Sequence, residues 1–182
     1  MPRYVAFLRA INVGGQHVVR MEDLRRQFER LGFTDVETFI ASGNVVFTAT
    51  SRDGAALERK IEGALEKTFG FEVKTFVRTL AELADVAARK PFAEARVKSA
   101  GAYCVGFLAV PLAPAAVQSI LALKSVEDDF HVDGREVYWI STKGQGKAAF
   151  SNAVLEKLLK SKSTLRGVRM LQKLAAKYPS KR

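Results

Sequence analysis

The sequence predicts an α+β fold made of two units in β-α-β-β-α-β order, the second altered at its C-terminal end. Three observations carry this. A short apolar strand, an amphipathic helix and a hairpin signal open the chain in that order. A longer helix and a further strand complete the first set. A similar succession then begins again after residue 101. This order is the ferredoxin-like arrangement. The 182 residues, 48% of them hydrophobic, suit one large core or two smaller ones, since domains typically hold about 100–150 residues.

Each element has a local reason. Val5 to Leu8 reads as a short buried strand. In "MEDLRRQFERLGF", Met21, Leu24, Phe28 and Leu31 recur at helical spacing, with Glu22 and Asp23 in the first turn where they complement the helix dipole. Val36, Thr38 and Ile40 alternate with Glu37 and Phe39. Ser42-Gly43-Asn44 then makes a turn, because Gly43 and Asn44 both tolerate positive φ, and Val45 to Phe47 start the return strand. A helix from about Gly54 places Leu57, Ile61, Ala64, Leu65 and Phe69 on one face. "FEVKTFVR" follows as a strand, and Thr79 with Glu82 makes a capping box for a trailing helix.

These features assign 1–90 to the first unit, 91–101 ("PFAEARVKSAG") to a linker and 102–182 to the second unit. "AYCVGFLAV" reads as a strand, Pro114 as a helix start and "DFHVDGREVYWIST" as a hairpin turning at Asp133-Gly134. A helix spans about Ser151 to Lys160. No closing strand is evident. Instead a helix from about Leu165 carries Val168, Leu171 and Leu174 on one face, with Arg166, Arg169, Lys173 and Lys177 as a cationic stripe.

The net charge of +10 favours nucleic acid, anionic membrane surfaces or phosphorylated small molecules as partners, and equally serves solubility. Cys104, the single cysteine, lies in an apolar run and reads as a structural thiol. With His17 and His131 as the only histidines, no metal-ligand spacing and no histidine-based triad is expected, and no cofactor is implied. No secretory leader is visible, and no apolar stretch approaches the ~20 residues of a membrane span, so a cytoplasmic location without membrane association is expected. "TKGQGKAAF" falls short of a P-loop: Ser141 and Ala148 stand where a Gly and a Ser or Thr are needed. A looser phosphate contact by Lys147 stays open.

Arg9 ends an apolar strand, where it is either salt-bridged or presented to an anion. Gly14-Gly15 reads first as a tight connection to the next helix, with Arg9, Asn12 and Asn44 as a polar shell for a ligand. Ser42 has no visible activating base. The aromatics Tyr4, Phe7 and Phe47 match the pattern of a base-stacking sheet only weakly, and Tyr138-Trp139 offers a similar platform.

"FLRAINVGG", the Met21 to Leu24 helix start and "SGNV" at Ser42 to Val45 together resemble a bacterial family of unknown function, DUF1697. The resemblance implies an α+β fold around ferredoxin-like units and no assigned reaction. Its matching residues are Arg9, Asn12, Gly14, Gly15, Ser42, Gly43 and Asn44. Toward the C-terminus Thr164 and Arg166 match, while Gly167 and Val168 stand where relatives carry Asn and Trp. The leading expectation is a protein that binds an anionic ligand, nucleic acid or nucleotide. The alternatives are an enzyme acting on a small phosphorylated or carboxylated substrate, and a protein-interaction module.

Overall fold

A computed structural model of the chain describes residues 1–181. The chain forms two units: Met1–Ala84 joined by the segment from Leu174 onward, and Asp85–Lys173. In unit 1, β1 (Arg3–Leu8), α1 (Met21–Arg30), β2 (Thr34–Thr38), β3 (Asn44–Thr48), α2 (Gly54–Phe69) and β4 (Thr75–Thr79) are followed by α3 (Leu80–Ala88). The sheet order is β2-β3-β1-β4, antiparallel throughout. Strand β3 slots between β1 and β2, which is the ferredoxin-like topology the sequence predicts.

After a short α4 (Glu94–Lys98) within the segment 91–101, the same order returns. It comprises β5 (Ala102–Phe107), α5 (Pro114–Leu121), β6 (Asp128–Asp133), β7 (Glu136–Ser141), α6 (Asn152–Leu159), β8 (Thr164–Gly167) and α7 (Val168–Lys177). The second sheet runs β6-β7-β5-β8. The expectation that the second unit lacks a closing strand is corrected here. Thr164–Gly167 pairs antiparallel with β5, and the helix begins three residues later than the apolar spacing suggested. Arg166 therefore lies on a strand and not on the helical stripe.

The registers of the two sheets match. Val5 pairs with Arg78 on β4, and Val105 pairs with Arg166 on β8. The central strands read Tyr4-Val5-Ala6-Phe7-Leu8 and Cys104-Val105-Gly106-Phe107-Leu108. In both units the last strand runs directly into a helix, β4 into α3 and β8 into α7, and the ends of these helices, Asp85–Ala88 and Leu174–Lys177, are counted with the other unit. The capping box expected at that junction forms in unit 1: Glu82 N–H donates to Thr79 Oγ1 at 3.1 Å, and Thr79 N–H to Glu82 Oε2 at 2.7 Å.

Tyr4, Ala6, Leu8 and Phe47 pack with Leu24, Phe28, Ile61 and Leu65. Val5, Phe7, Val46 and Phe76, on the other side of the same sheet by strand alternation, are equally buried. In unit 2, Cys104, Phe130, Trp139, Phe150 and Leu155 form the core. Trp139 packs on Phe150 with ring centroids 5.0 Å apart and donates Nε1–H to the buried Asp128 at 2.9 Å. Each such fully buried large side chain contributes about 1.5–3 kcal/mol of hydrophobic stabilisation.

Candidate functional site

Six of the residues singled out by sequence gather at one end of unit 1, where β1 ends and β3 begins. After Leu8 the chain takes two left-handed steps at Ala10 and Asn12, with Ile11 between them sunk into the core. It then makes a small hairpin. Asn12 N–H donates to His17 O at 3.1 Å, and Gln16 N–H to Val13 O at 3.0 Å. The two residues at the tip, Gly14 (φ +58°) and Gly15 (φ +74°), have the geometry of a primed turn, which side chains other than glycine adopt only with strain. The connection is thus a projecting hairpin and not the tight link the glycine pair suggested. It is anchored at both ends by buried Ile11 and Val19.

Asn12 holds this hairpin in place. Its Oδ1 accepts from Val19 N–H at 2.8 Å, while Nδ2 donates to Val19 O and to Ala41 O, both at 3.0 Å. The last bond ties the hairpin to the second loop, residues 39–43. In that loop Gly43 (φ +80°) lies against Ile11 and Leu8 so closely that an added Cβ would come within 2.9 Å of Ile11 Cδ1. Gly43 O accepts from Leu8 N–H at 2.8 Å. Asn44 is not at the turn tip: it opens β3, is fully buried, and donates Nδ2–H to Phe39 O and Ser42 Oγ at 3.0 Å. Positive φ falls on Ile40 and Gly43 instead.

The two asparagines therefore commit their amide hydrogens to holding the loops. The groups facing solvent are backbone amides and small side chains. Gly14 and Gly15 are exposed, and their N–H groups have no partner among the described residues. Ser42 is exposed, and Arg9 is half-buried at the hairpin base, its N–H bonded to Lys74 O at 2.9 Å. His17 stacks on Phe71 with centroids 4.1 Å apart, a contact no sequence spacing announces.

The remaining two candidates lie in unit 2. Lys147 is exposed in the loop after β7, its N–H donating to Gly144 O at 3.1 Å. Arg166 is buried on β8, with Nη1 donating to Thr164 Oγ1 at 2.6 Å and to Leu165 O at 3.0 Å. Burial lowers its pKa to about 10. Sequence reasoning missed the matching buried arginine, Arg78, whose Nη1 donates to Val77 O at 3.0 Å. The signal that could have found it is the repeated position opposite Val5 and Val105.

A cleft of about 800 Å³ lies at the other end of β1. There Arg3 Nη2 donates to Glu37 at 2.8 Å, Tyr178 Oη donates to the same carboxylate at 2.8 Å, and Thr48 Oγ1 donates to Asp35 at 3.0 Å. Arg3 and Glu37 form an ion pair here, while Arg3 Nε is buried without a hydrogen-bond partner among the described residues.

Burial raises the pKa of Cys104 to about 11, which keeps it a neutral thiol, as its apolar setting predicts. Neither imidazole makes a hydrogen bond among the described residues, and none of their His, Cys, Asp and Glu side chains form a group able to hold a metal ion. No helix among them is long and apolar enough to cross a membrane.

Residues 1–138, which include both loops of unit 1, match the family described as "Protein of unknown function (DUF1697)". The chain belongs to this family. Lys147 and Arg166 lie beyond the matched stretch. Among solved structures, "conserved bacterial protein SP0830 from Streptococcus pneumoniae" shares the fold with a TM-score of 0.76 and 22% identity, over 99% of each chain. No curated protein matches the chain.

Proposed function

We propose that the protein binds an anionic ligand, a nucleic acid or nucleotide, through the paired loops of unit 1, in the cytoplasm of a bacterial cell. The observation that carries this reading is the Gly14-Gly15 tip. Two unpartnered backbone N–H groups stand in solvent on a hairpin that Asn12 ties to the neighbouring loop. Fixed amide donors of this kind favour negative charge. The net charge of +10 draws anions toward them.

The contact is to phosphate and not to base faces. Tyr4, Phe7, Phe47, Tyr138 and Trp139 are all buried, so neither sheet offers the stacking platform of an RNA-recognition motif.

The test is fluorescence anisotropy of labelled single-stranded RNA and of a nucleoside triphosphate analogue, at low and near-physiological salt. Gln16→Glu is the informative variant, because Gln16 is exposed and bonds only through its backbone. Binding that persists at physiological salt and drops with Gln16→Glu supports the reading. Binding that fades with salt equally in both proteins reduces it to non-specific attraction.

A further inference from the structure

The two sheets differ at one edge. On β4, Arg9 N–H bonds Lys74 O, which fixes Phe76 and Arg78 as the residues facing β1 and leaves Thr75, Val77 and Thr79 facing outward. A carboxylate takes each outward donor. Thr75 N–H donates to Glu62 at 3.0 Å, Val77 N–H to Glu58 at 2.8 Å and Thr79 N–H to Glu82 at 2.7 Å. This edge has no donor left for another strand.

The matching edge of unit 2 is β8. Leu108 N–H bonds Arg135 O, so even-numbered residues of β5 face β7 and odd-numbered ones face β8. Thr164 and Arg166 therefore point into the sheet, and Leu165 and Gly167 point out. Ser163 N–H is taken by Glu156 at 3.1 Å, the counterpart of Glu62 on Thr75. Four residues before Glu156, where Glu58 precedes Glu62, stands Asn152. Its Nδ2 goes to Glu156 and to Ser163 O. The N–H groups of Leu165 and Gly167 have no partner among the described residues. Gly167 is exposed and Leu165 half-buried.

The surroundings of this open edge are basic. Lys157, Lys160 and Lys162 lead into it and Arg169 follows it. All four are exposed, and none has an ion-pair partner among the described residues. Strand β2, at the outer edge of the first sheet, is broken in register between Thr34 and Glu37 and carries Asp35 and Glu37.

We propose that β8 accepts an acidic, extended segment of a partner protein as an added strand. The open amides of Leu165 and Gly167 supply main-chain pairing, and the flanking lysines select carboxylate-rich sequence. Phosphate-rich polymers would meet the same lysines, and their oxygens could accept from an outward amide, but they bring no carbonyls at the period-two spacing of a strand. This site is separate from the loops of unit 1 and does not depend on them.

The experiment uses the full chain and a short fluorescein-labelled peptide alternating glutamate with valine. Two further peptides carry N-methyl groups on one or the other alternate set of amides. The unmodified peptide is expected to bind, and one N-methylated set to bind at least about tenfold more weakly, since methyl groups turned toward β8 hold the peptide carbonyls off the Leu165 and Gly167 amides and remove no charge. Gly167→Pro, which deletes an outward donor at an exposed position, is expected to weaken binding to a similar degree, and Lys162→Glu to weaken it through charge. Equal binding of all three peptides overturns the proposal, whatever the fate of the proline variant. So does full displacement by oligothymidylate combined with indifference to N-methylation, which identifies a general polyanion surface.

Discussion

The two units share strand order, register, a buried arginine opposite a central valine, and a helix that starts where the last strand stops. They differ in what surrounds that frame. Unit 1 carries a projecting hairpin after its first strand and closes its outer edge with three glutamates. Unit 2 leaves its outer edge partly open among lysines. The shared features are those a ferredoxin-like sheet needs to stand. The differing ones lie at loop tips and edges, where substitution costs little stability and changes what the surface can hold.

The sharpest break in the comparison is in the core. Phe47 pairs with Tyr4 as Trp139 pairs with Cys104, so these two rings hold equivalent places. Phe47→Ala and Trp139→Ala should each cost about 3–5 kcal/mol in denaturant unfolding. A loss confined to one of them would show that the cores are not equivalent. Gly43→Val comes next, at about 3 kcal/mol, because it adds a clash with Ile11 to a left-handed backbone. Glu58→Ala follows at about 2 kcal/mol, since it strands the Val77 N–H. Unit 2 offers no counterpart to that loss, because Asn152 already leaves the equivalent amide open. Gly14→Ala meets no neighbour and should cost only about 1 kcal/mol.

A further effect appears only at alkaline pH. Cys104 has a folded pKa of about 11 against an ordinary 9.0. The native state therefore holds the thiol proton where the unfolded state has released it. Its contribution to stability is complete below pH 9 and declines as pH rises toward 11. Cys104→Ser should flatten that decline in a series of urea melts. At neutral pH the thiol should react with a disulfide reagent only as fast as the protein opens.

Much of the frame is legible in the residues because local and tertiary preferences agree. The apolar spacing of α1 and α2, Pro114 at the start of α5 and the Thr79–Glu82 box each have one physical reading, and the structure follows it; the second hairpin forms one residue further on, with Asp133 on β6 and the turn at Gly134-Arg135. Strand β8 is illegible because it is four residues long, holds a buried arginine and abuts a helix whose apolar period masks it. The positions of the candidate loop residues can be read, but not their roles. Asn12 and Asn44 look like ligand groups in one dimension because their carbonyl partners, on Ala41 and Phe39, carry no side-chain signature. The same holds for Glu58 and Glu62 of α2 and Glu82 of α3, which reach backbone amides of β4 that any sequence possesses.

One junction has a mechanical side. No residue separates Gly167 from Val168, so β8 and α7 meet without a hinge. A strand clamped against β8 would fix the direction in which the helix leaves the sheet, as a vise on one end of a rod steadies its length. Slower amide exchange at the start of α7 on peptide addition would be the sign of that stiffening.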